Sequence, residues 1–208
     1  DKDVLIAKST AQLFRVDTRS NDNNQDRDEV LYAGELNYQR RWNSIFQTEF
    51  KLASNLRQLV YITPQQSNEN YTERMIRLEP NFILGTKKLR WRADYSIQST
   101  YNVRNFATEQ LKNRSNRIFL TNHNIDATLT KRWHTLIDFT RRENRLSLLN
   151  WSEFKESPLD TVVIYDASIR FQYYWQNSKG SSVQTFAGYR YFRQTRQNEV
   201  GLSTETGG

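Results

Sequence analysis

Hydrophobic and polar residues alternate along most of this chain with a period of two. From Leu89 to Val103 the odd positions are almost all apolar or aromatic, while the even positions are polar or charged. The same alternation returns from Val163 to Trp175. A strand that separates two different environments produces this pattern. Both runs are longer than the strands of an average globular protein.

Shorter alternating segments bring the number of predicted strands to about nine, and no segment predicts a helix. The least regular of them is the opening stretch, Val4 to Val16. We therefore predict an all-β fold, an antiparallel up-and-down transmembrane β-barrel. It forms a single barrel domain or barrel segment over residues 1–208, with a polar tail or loop at 194–208.

The predicted connections alternate between long and short. Long connections are expected at 17–29, 63–72, 105–116 and 150–160, and short ones at 42–44, 85–88, 130–132 and 176–181. An up-and-down meander then places every tight turn at one end of the sheet and every long loop at the other. Outer-membrane barrels sort their connections in this way, and a soluble sandwich has no reason to do so.

Composition narrows the class further. Mean hydropathy is −0.84, and no apolar run approaches the ~18 residues of a membrane helix, so we expect any membrane span to be a β-strand. Aromatic residues make up 13% of the chain, which is too many for a disordered segment. The chain has no cysteine and a formal net charge of +7. Disulfides are therefore excluded, and acidic partners such as anionic lipid or nucleic acid are compatible with the charge.

Over nearly its whole length the chain resembles a bacterial outer-membrane β-barrel. The likeness rests on the alternation in Leu89–Val103 and Thr161–Trp175, on the tight turns at 85–87 and 177–180, and on the sorted connections. It is architectural, without a family-specific motif. The odd strand count and the absence of a terminal aromatic strand in 201–208 are more similar to a segment of a larger barrel, which would need a further strand for closure.

The resemblance implies a position in the outer membrane and a porin-like part in transport, in secretion or as a scaffold of a larger complex. The implied partners are membrane lipid, with lipopolysaccharide as one candidate, and other outer-membrane or periplasmic chains. Nucleic acid is not a partner on this interpretation.

In such a barrel one face of each strand would line the lumen, while residues such as Trp91 and Ile169 would face lipid. The predicted lumen-facing residues are Glu35, Glu49, Lys51, Arg77, Glu79, Arg90, Arg92, Asp94, Asp126, Asp138, Asp166, Arg170 and Arg190. Their charges nearly balance. They either pair across strands, because an unpaired buried charge is costly, or line a path that selects solutes by charge.

One segment has the ligand spacing of a calcium loop. Asp22, Asn24, Asp26 and Asp28 stand two residues apart, as oxygen ligands do in such loops. Arg27 occupies the position of the turn glycine, and Ala33 occupies that of the twelfth-position glutamate. The segment is therefore a weak calcium candidate, and a solvated polar loop is the alternative. No other cofactor is expected.

The residues do not predict an enzyme. His134 and Asp138 are four residues apart on one strand, about 13 Å, too far for a direct hydrogen bond. No phosphate-binding glycine loop or nucleophile elbow is present. The alternative to a membrane barrel is a soluble secreted all-β binding module that recognises nucleic acid or polysaccharide through basic and aromatic residues.

Overall fold

The computed structural model describes residues 3–17, 26–176, 182–198 and 201–207. Ten β-strands and two short 3-10 helices account for most of them. The strands are β1 Asp3–Val16, β2 Arg27–Arg41, β3 Phe46–Tyr61, β4 Tyr71–Gly85, β5 Leu89–Arg104, β6 Arg114–Thr128, β7 Trp133–Asn150, β8 Lys155–Gln176, β9 Ser182–Asn198 and β10 Gly201–Gly207. The helices are η1 Pro64–Glu69 and η2 Ala107–Lys112.

All ten strands belong to one sheet in the order of the chain, and each is antiparallel to its neighbours. The predicted all-β, up-and-down arrangement is confirmed. Within the described part of the chain, β1 pairs only with β2 and β10 only with β9, so these residues alone do not close the sheet. No helix in the described ranges is long and apolar enough to cross a membrane.

The sheet has ten strands where the alternation predicted nine. The polar tail or loop predicted at 194–208 was wrong for most of its length, because β9 continues to Asn198 and β10 occupies Gly201–Gly207. The described side chains of β10 are polar on both faces, so the strand has no alternation to detect. Backbone pairing with β9 defines this strand instead, with Ser203 opposite Arg196 and Thr204 opposite Thr195.

Three tight turns, at 42–45, 86–88 and 129–132, lie at one end of the sheet, which we call the short-turn end. Each turn contains one side chain whose oxygen accepts two backbone N–H groups. These are Asn43 Oδ1, from Ile45 and Phe46, Thr86 Oγ1, from Lys88 and Leu89, and Thr130 Oγ1, from Arg132 and Trp133. Such local bonds satisfy donors that would otherwise be lost where the chain reverses.

The opposite, long-loop end carries η1 and η2, but the connection between β7 and β8 is not long. The loop predicted at 150–160 is a four-residue turn, Trp151 to Phe154. Residues 155–160 instead extend the ladder opposite 146–150, with a register shift between Leu146 and Ser147. Pro158 stands opposite Ser147 at this irregularity, which is where a strand tolerates a residue without an N–H.

A single layer has no interior, and few apolar side chains here are fully buried. Ala93 is 0% exposed, whereas Leu5 is 66% and Tyr189 62% exposed. The chemistry of the molecule is therefore decided by its two faces.

Candidate functional site: the two faces of the sheet

The register brings all thirteen predicted lumen-facing residues onto one face, here called the charged face. Directly opposed residues of antiparallel strands share a face. Lys51 opposes Glu79, Arg90 opposes Asp126 and Arg170 opposes Gly188 in three of the ladders. Trp91 and Ile169 lie on the other face, here called the apolar face.

The apolar face has a continuous band without an Asp, Glu, Lys or Arg. In five strands the stretch whose side chains on this face are all uncharged is nine residues long, counted along the strand. These segments are Leu5–Leu13, Val30–Tyr38, Ile76–Leu84, Phe119–Ala127 and Val183–Tyr191. We call the whole the apolar band. Nine residues at ~3.3 Å each, tilted by about 40°, span ~23 Å, close to the ~25 Å apolar band of outer-membrane barrels.

Residues that lie directly opposite one another on successive strands form a row across the sheet. The apolar band crosses these rows at an angle. One row runs through Ala7, Leu36, Leu52, Leu78, Ile97, Phe119, Glu143, Val163 and Thr195. Leu5, at the lower edge in β1, is two residues below this row, and Val183, at the lower edge in β9, is twelve below it. The edge therefore drops by ten residues over eight strand-to-strand steps.

This drop gives the angle between the apolar band and the rows. Ten residues over eight steps is ~4 Å along the strand for each ~4.8 Å between strands, a slant of about 40°. The upper edge, from Arg15 in β1 to Arg193 in β9, drops by the same ten residues. Strands of membrane barrels tilt by about 35 to 45°. A band that is horizontal in a bilayer would cross the rows of such a sheet at this angle.

Charged residues return on the apolar face above the band, toward the long-loop end. We call them the upper charged edge. They are Arg15, Asp28, Arg74, Arg117, Arg141, Glu143, Arg145, Glu156 and Arg193. Glu143 is buried and accepts hydrogen bonds from Arg141 and Arg145, and Arg117 bonds Glu156 at 2.7 Å. Cations outnumber carboxylates in this set.

On the charged face most carboxylates have a cationic partner. The pairs are Lys8–Glu35 at 4.0 Å, Lys51–Glu49 at 3.3 Å, Arg77–Glu79 at 3.4 Å, Arg92–Asp94 at 2.8 Å and Arg190–Asp166 at 2.6 Å. Asp138 instead accepts a hydrogen bond from Asn124 at 2.6 Å. Cross-strand and same-strand pairing is thus the main arrangement of the predicted set.

Two of the predicted residues stand apart. Within the described ranges, neither Arg90 nor Arg170 has a carboxylate at ion-pair distance. Arg170 borders a depression of about 420 Å³ that Asp138, Asp166 and Arg190 also line. The depression lies beside Gly188, where a Cβ would come within 2.7 Å of the Ile169 carbonyl oxygen. The two strands approach too closely here for any residue but glycine.

Both histidines make contacts that spacing along one strand did not reveal. His134 Nε2 lies 2.5 Å from Asp126 Oδ1, across the tight turn at 129–132. The signal was available, because a short turn brings the residues that flank it together. His123 lies in the apolar band, where its ring stacks on Trp91 at 5.9 Å and its Nδ1 accepts the indole N–H.

Aromatic rings occur near both edges of the band. The ring centroids of Trp133 and Tyr173 lie 4.8 Å apart near the short-turn end. Trp175 lies on the same face of β8, two residues nearer that end. Tyr191 ends the uncharged segment of β9 at the upper edge. Rings with an apolar body and a polar edge are enriched at both interfaces of membrane proteins.

Two of the four residues of the calcium candidate fall outside the described residues. Asp22 and Asn24 lie there, whereas Asp28 belongs to β2 and pairs with Arg15 at 3.1 Å. Asp26 is buried, and its carbonyl accepts the Ile62 N–H at 3.0 Å. No group of three or more His, Asp or Glu side chains suited to a metal occurs among the described residues. The calcium loop stays a prediction.

An apolar hollow of about 770 Å³ opens on the apolar face near the long-loop end. Small residues of three adjacent strands form its floor, Ser9, Gly34 and Ser54. Trp151 and Phe154, from the turn between β7 and β8, lie over its side. The Trp151 ring packs against Tyr101 at 6.1 Å, and the Arg74 guanidinium lies 4.8 Å from the Trp151 ring centre.

Ion pairs join the two helical connections. Glu69, at the end of η1, pairs with Arg104 at 2.7 Å and with Lys112 at 3.4 Å. Lys112, at the end of η2, also pairs with Glu109 at 2.7 Å. The hydrogen bond to Glu109 is the main cause that raises the pKa of Lys112, with Glu69 adding to it. We call this group the loop clasp.

Comparison with known proteins gives a structural neighbour but no family. No known protein family matches the sequence, and no curated protein matches it. Among solved structures the chain is similar to the beta domain of the Bordetella autotransporter BrkA, with 12% sequence identity and a TM-score of 0.39. The match covers 99% of this chain and 83% of that one.

Proposed function

We propose that this chain is a wall of a bacterial outer-membrane β-barrel, with the apolar band in lipid and the charged face toward the lumen. The observation that carries the proposal is the apolar band itself. It has the height of a hydrocarbon layer, and its slant across the ladder equals the tilt of membrane strands. A soluble fold does not require an apolar band to have both this height and this slant.

Energetics favour the same orientation. An Arg or Lys at the bilayer midplane costs about 2 to 4 kcal/mol on the lipid face of a barrel. Placing the charged face in lipid would expose its six predicted cations to costs of up to that size and its seven predicted carboxylates to smaller ones, and pairing would offset only part of them. In water the apolar face would instead expose an apolar band that crosses nine strands, whereas soluble monomers rarely expose contiguous apolar patches larger than a few hundred Å².

The role we propose is transport, secretion or support of a larger outer-membrane complex, without an enzymatic reaction. Pairing of most lumen-facing charges supports a structural role for them: Lys8–Glu35 and Arg190–Asp166 join neighbouring strands, and the other pairs lie within one strand. Of the predicted cations, Arg90 and Arg170 have no ion pair within the described ranges, and we propose that these two meet solutes. Partners among outer-membrane or periplasmic chains are part of the proposal, because a sheet edge in lipid leaves backbone groups unpaired, each costing several kcal/mol.

Lipopolysaccharide is the lipid partner we propose for the upper charged edge. The excess of arginine there lies just beyond the apolar band, at the depth of headgroups. Guanidinium groups bind phosphates through paired hydrogen bonds. The sorting of long connections to the same end of the sheet supports an outward orientation of this edge.

The test is folding of the full chain into lipid vesicles. We expect detergent-dependent solubility, protection of β-strand amides in vesicles, and migration on a gel that changes on heating. A chain that stays monomeric and folded without detergent, and does not bind vesicles, would overturn the proposal in favour of the soluble binding module.

A further inference from the structure

We infer that the apolar hollow is a binding site for one anionic membrane lipid, with an acyl chain in the hollow and the headgroup at Arg74. This inference rests on the proposed function for the source of the lipid. It assigns a specific site, whereas the proposed function needs only general contact with the bilayer.

The hollow has the size and lining of a ligand site. Its volume of about 770 Å³ is within the range of pockets that hold small molecules. Leu56, Ile76 and the rings of Trp151 and Phe154 give it apolar walls. The floor is low because Gly34 has no side chain and Ser54 has a small one. Small residues at opposed positions of adjacent strands therefore create the space.

The positive charge of Arg74 indicates that the bound headgroup is anionic. Arg74 is the first charged residue above the apolar band in β4, and it borders the hollow. It has no ion-pair partner within the described ranges, and its Nη1 is buried without a hydrogen-bond partner. A buried guanidinium N–H without an acceptor is costly. A phosphate oxygen beside the guanidinium would balance its charge, and a small rotation of the side chain that turns Nη1 toward the hollow would give this N–H an acceptor.

The turn over the hollow is held in an unusual conformation. Phe154 has a φ of 52°, in the left-handed region that bulky residues rarely adopt. Its ring nevertheless packs on Tyr101 at 5.5 Å and on Trp151 at 5.6 Å. The contacts that keep the turn in this conformation are the ones that close the side of the hollow.

Native mass spectrometry of the full chain in detergent, with phosphatidylglycerol and phosphatidylcholine of the same acyl chains as equimolar probes, tests the site. We expect one phosphatidylglycerol retained per chain, preferred by about fivefold, the factor that a partly exposed ion pair of about 1 kcal/mol provides. Arg74→Gln should abolish the preference. Arg77→Gln, on the charged face of the same strand, is the matched control and should leave it unchanged.

Filling the hollow gives the second arm. Ser54→Leu and, independently, Ser9→Leu should reduce the retained lipid at least severalfold while circular dichroism stays unchanged. Equal retention of the two lipids, or retention indifferent to Arg74→Gln and to whichever filling variant folds, overturns the inference. Because the assay is in detergent, its outcome is separate from vesicle insertion, which tests the proposed function.

Discussion

Gly188 lies at a close approach of β9 to β8, opposite Arg170 in the ladder. A Cβ at this position would stand 2.7 Å from the backbone oxygen of Ile169, which has no way to move without disturbing β8. Gly188→Ala should therefore destabilise the fold by about 1 to 3 kcal/mol, the usual cost of overpacking. Urea unfolding from vesicles measures the loss.

Gly34→Ala is the matched control for this substitution. Its Cβ would meet only the Ser54 hydroxyl, at an ordinary 3.7 Å. Replacing a strand glycine by alanine without strain stabilises by about 0.4 to 1 kcal/mol through the unfolded chain. If the two variants unfold at the same urea concentration, the close approach at Gly188 is not as described.

Ile169 lies at the centre of the uncharged segment of β8, between Ile137 and Tyr189 on the apolar face. Ile169→Arg should cost about 2 to 4 kcal/mol of folding free energy in a bilayer, because the charge would lie near the midplane. Ser168→Arg places the same charge one residue away on the charged face, opposite Asp138. That variant should lose much less, and equal losses would contradict the assignment of faces.

At the residue scale the sequence predicted the faces but not the contacts. Alternation assigns Arg92 and Trp91 to opposite faces without knowledge of register, because side chains of a strand alternate. The partner of a charged residue depends on register and rotamer. Arg77 pairs with Glu79 on its own strand, and the alternation does not predict this pair. The contact of Asp126 with His134 could have been inferred, because only a short turn separates the two residues.

The loop clasp is the element-scale feature with a pH dependence. The pKa of Lys112 is raised by its hydrogen bond to Glu109, so its contribution is fully present below the unfolded lysine pKa of about 10.4 and is lost as pH rises through the higher folded value. Hydrogen exchange in the connections at 62–70 and 105–113, corrected for intrinsic rates, should increase between pH 9 and pH 11.5.

Lys112→Gln should show the faster exchange already at pH 9. Glu69 also pairs with Arg104, which the substitution leaves in place, so exchange near η1 should change less than exchange near η2. Unchanged protection of η2 in the variant would show that the ion pairs do not order the connections.

Elements were predictable where one face was apolar and unpredictable where it was not. The nine strands that cross the apolar band each have their alternation in the sequence. The upper parts of β7 and β8, and the whole of β10, extend beyond the band, where polar residues on both faces leave no period to detect. For the same reason the turn at 151–154 and its apolar hollow had no signal in the sequence.

At the scale of the whole molecule, ten strands change the argument about closure. Nine strands in alternating directions would leave the first and last parallel, whereas ten leave β1 and β10 antiparallel. In the described residues they nevertheless do not pair. β10 lies against the upper part of β9, so within the described residues the lower part of β9 has no partner strand on that side.

The slant of the apolar band fixes the orientation of the sheet in a bilayer. If the band lies parallel to the membrane plane, the strands must tilt from the membrane normal by the angle at which the band crosses the rows, about 40°. Polarised infrared spectroscopy of the chain in oriented bilayers measures this tilt directly from the amide bands. We expect about 40°, and Ile169→Ala, which leaves the band uncharged, should not alter it. Strands nearly parallel to the normal, or lying flat on the surface, would show that the band does not mark the hydrocarbon layer.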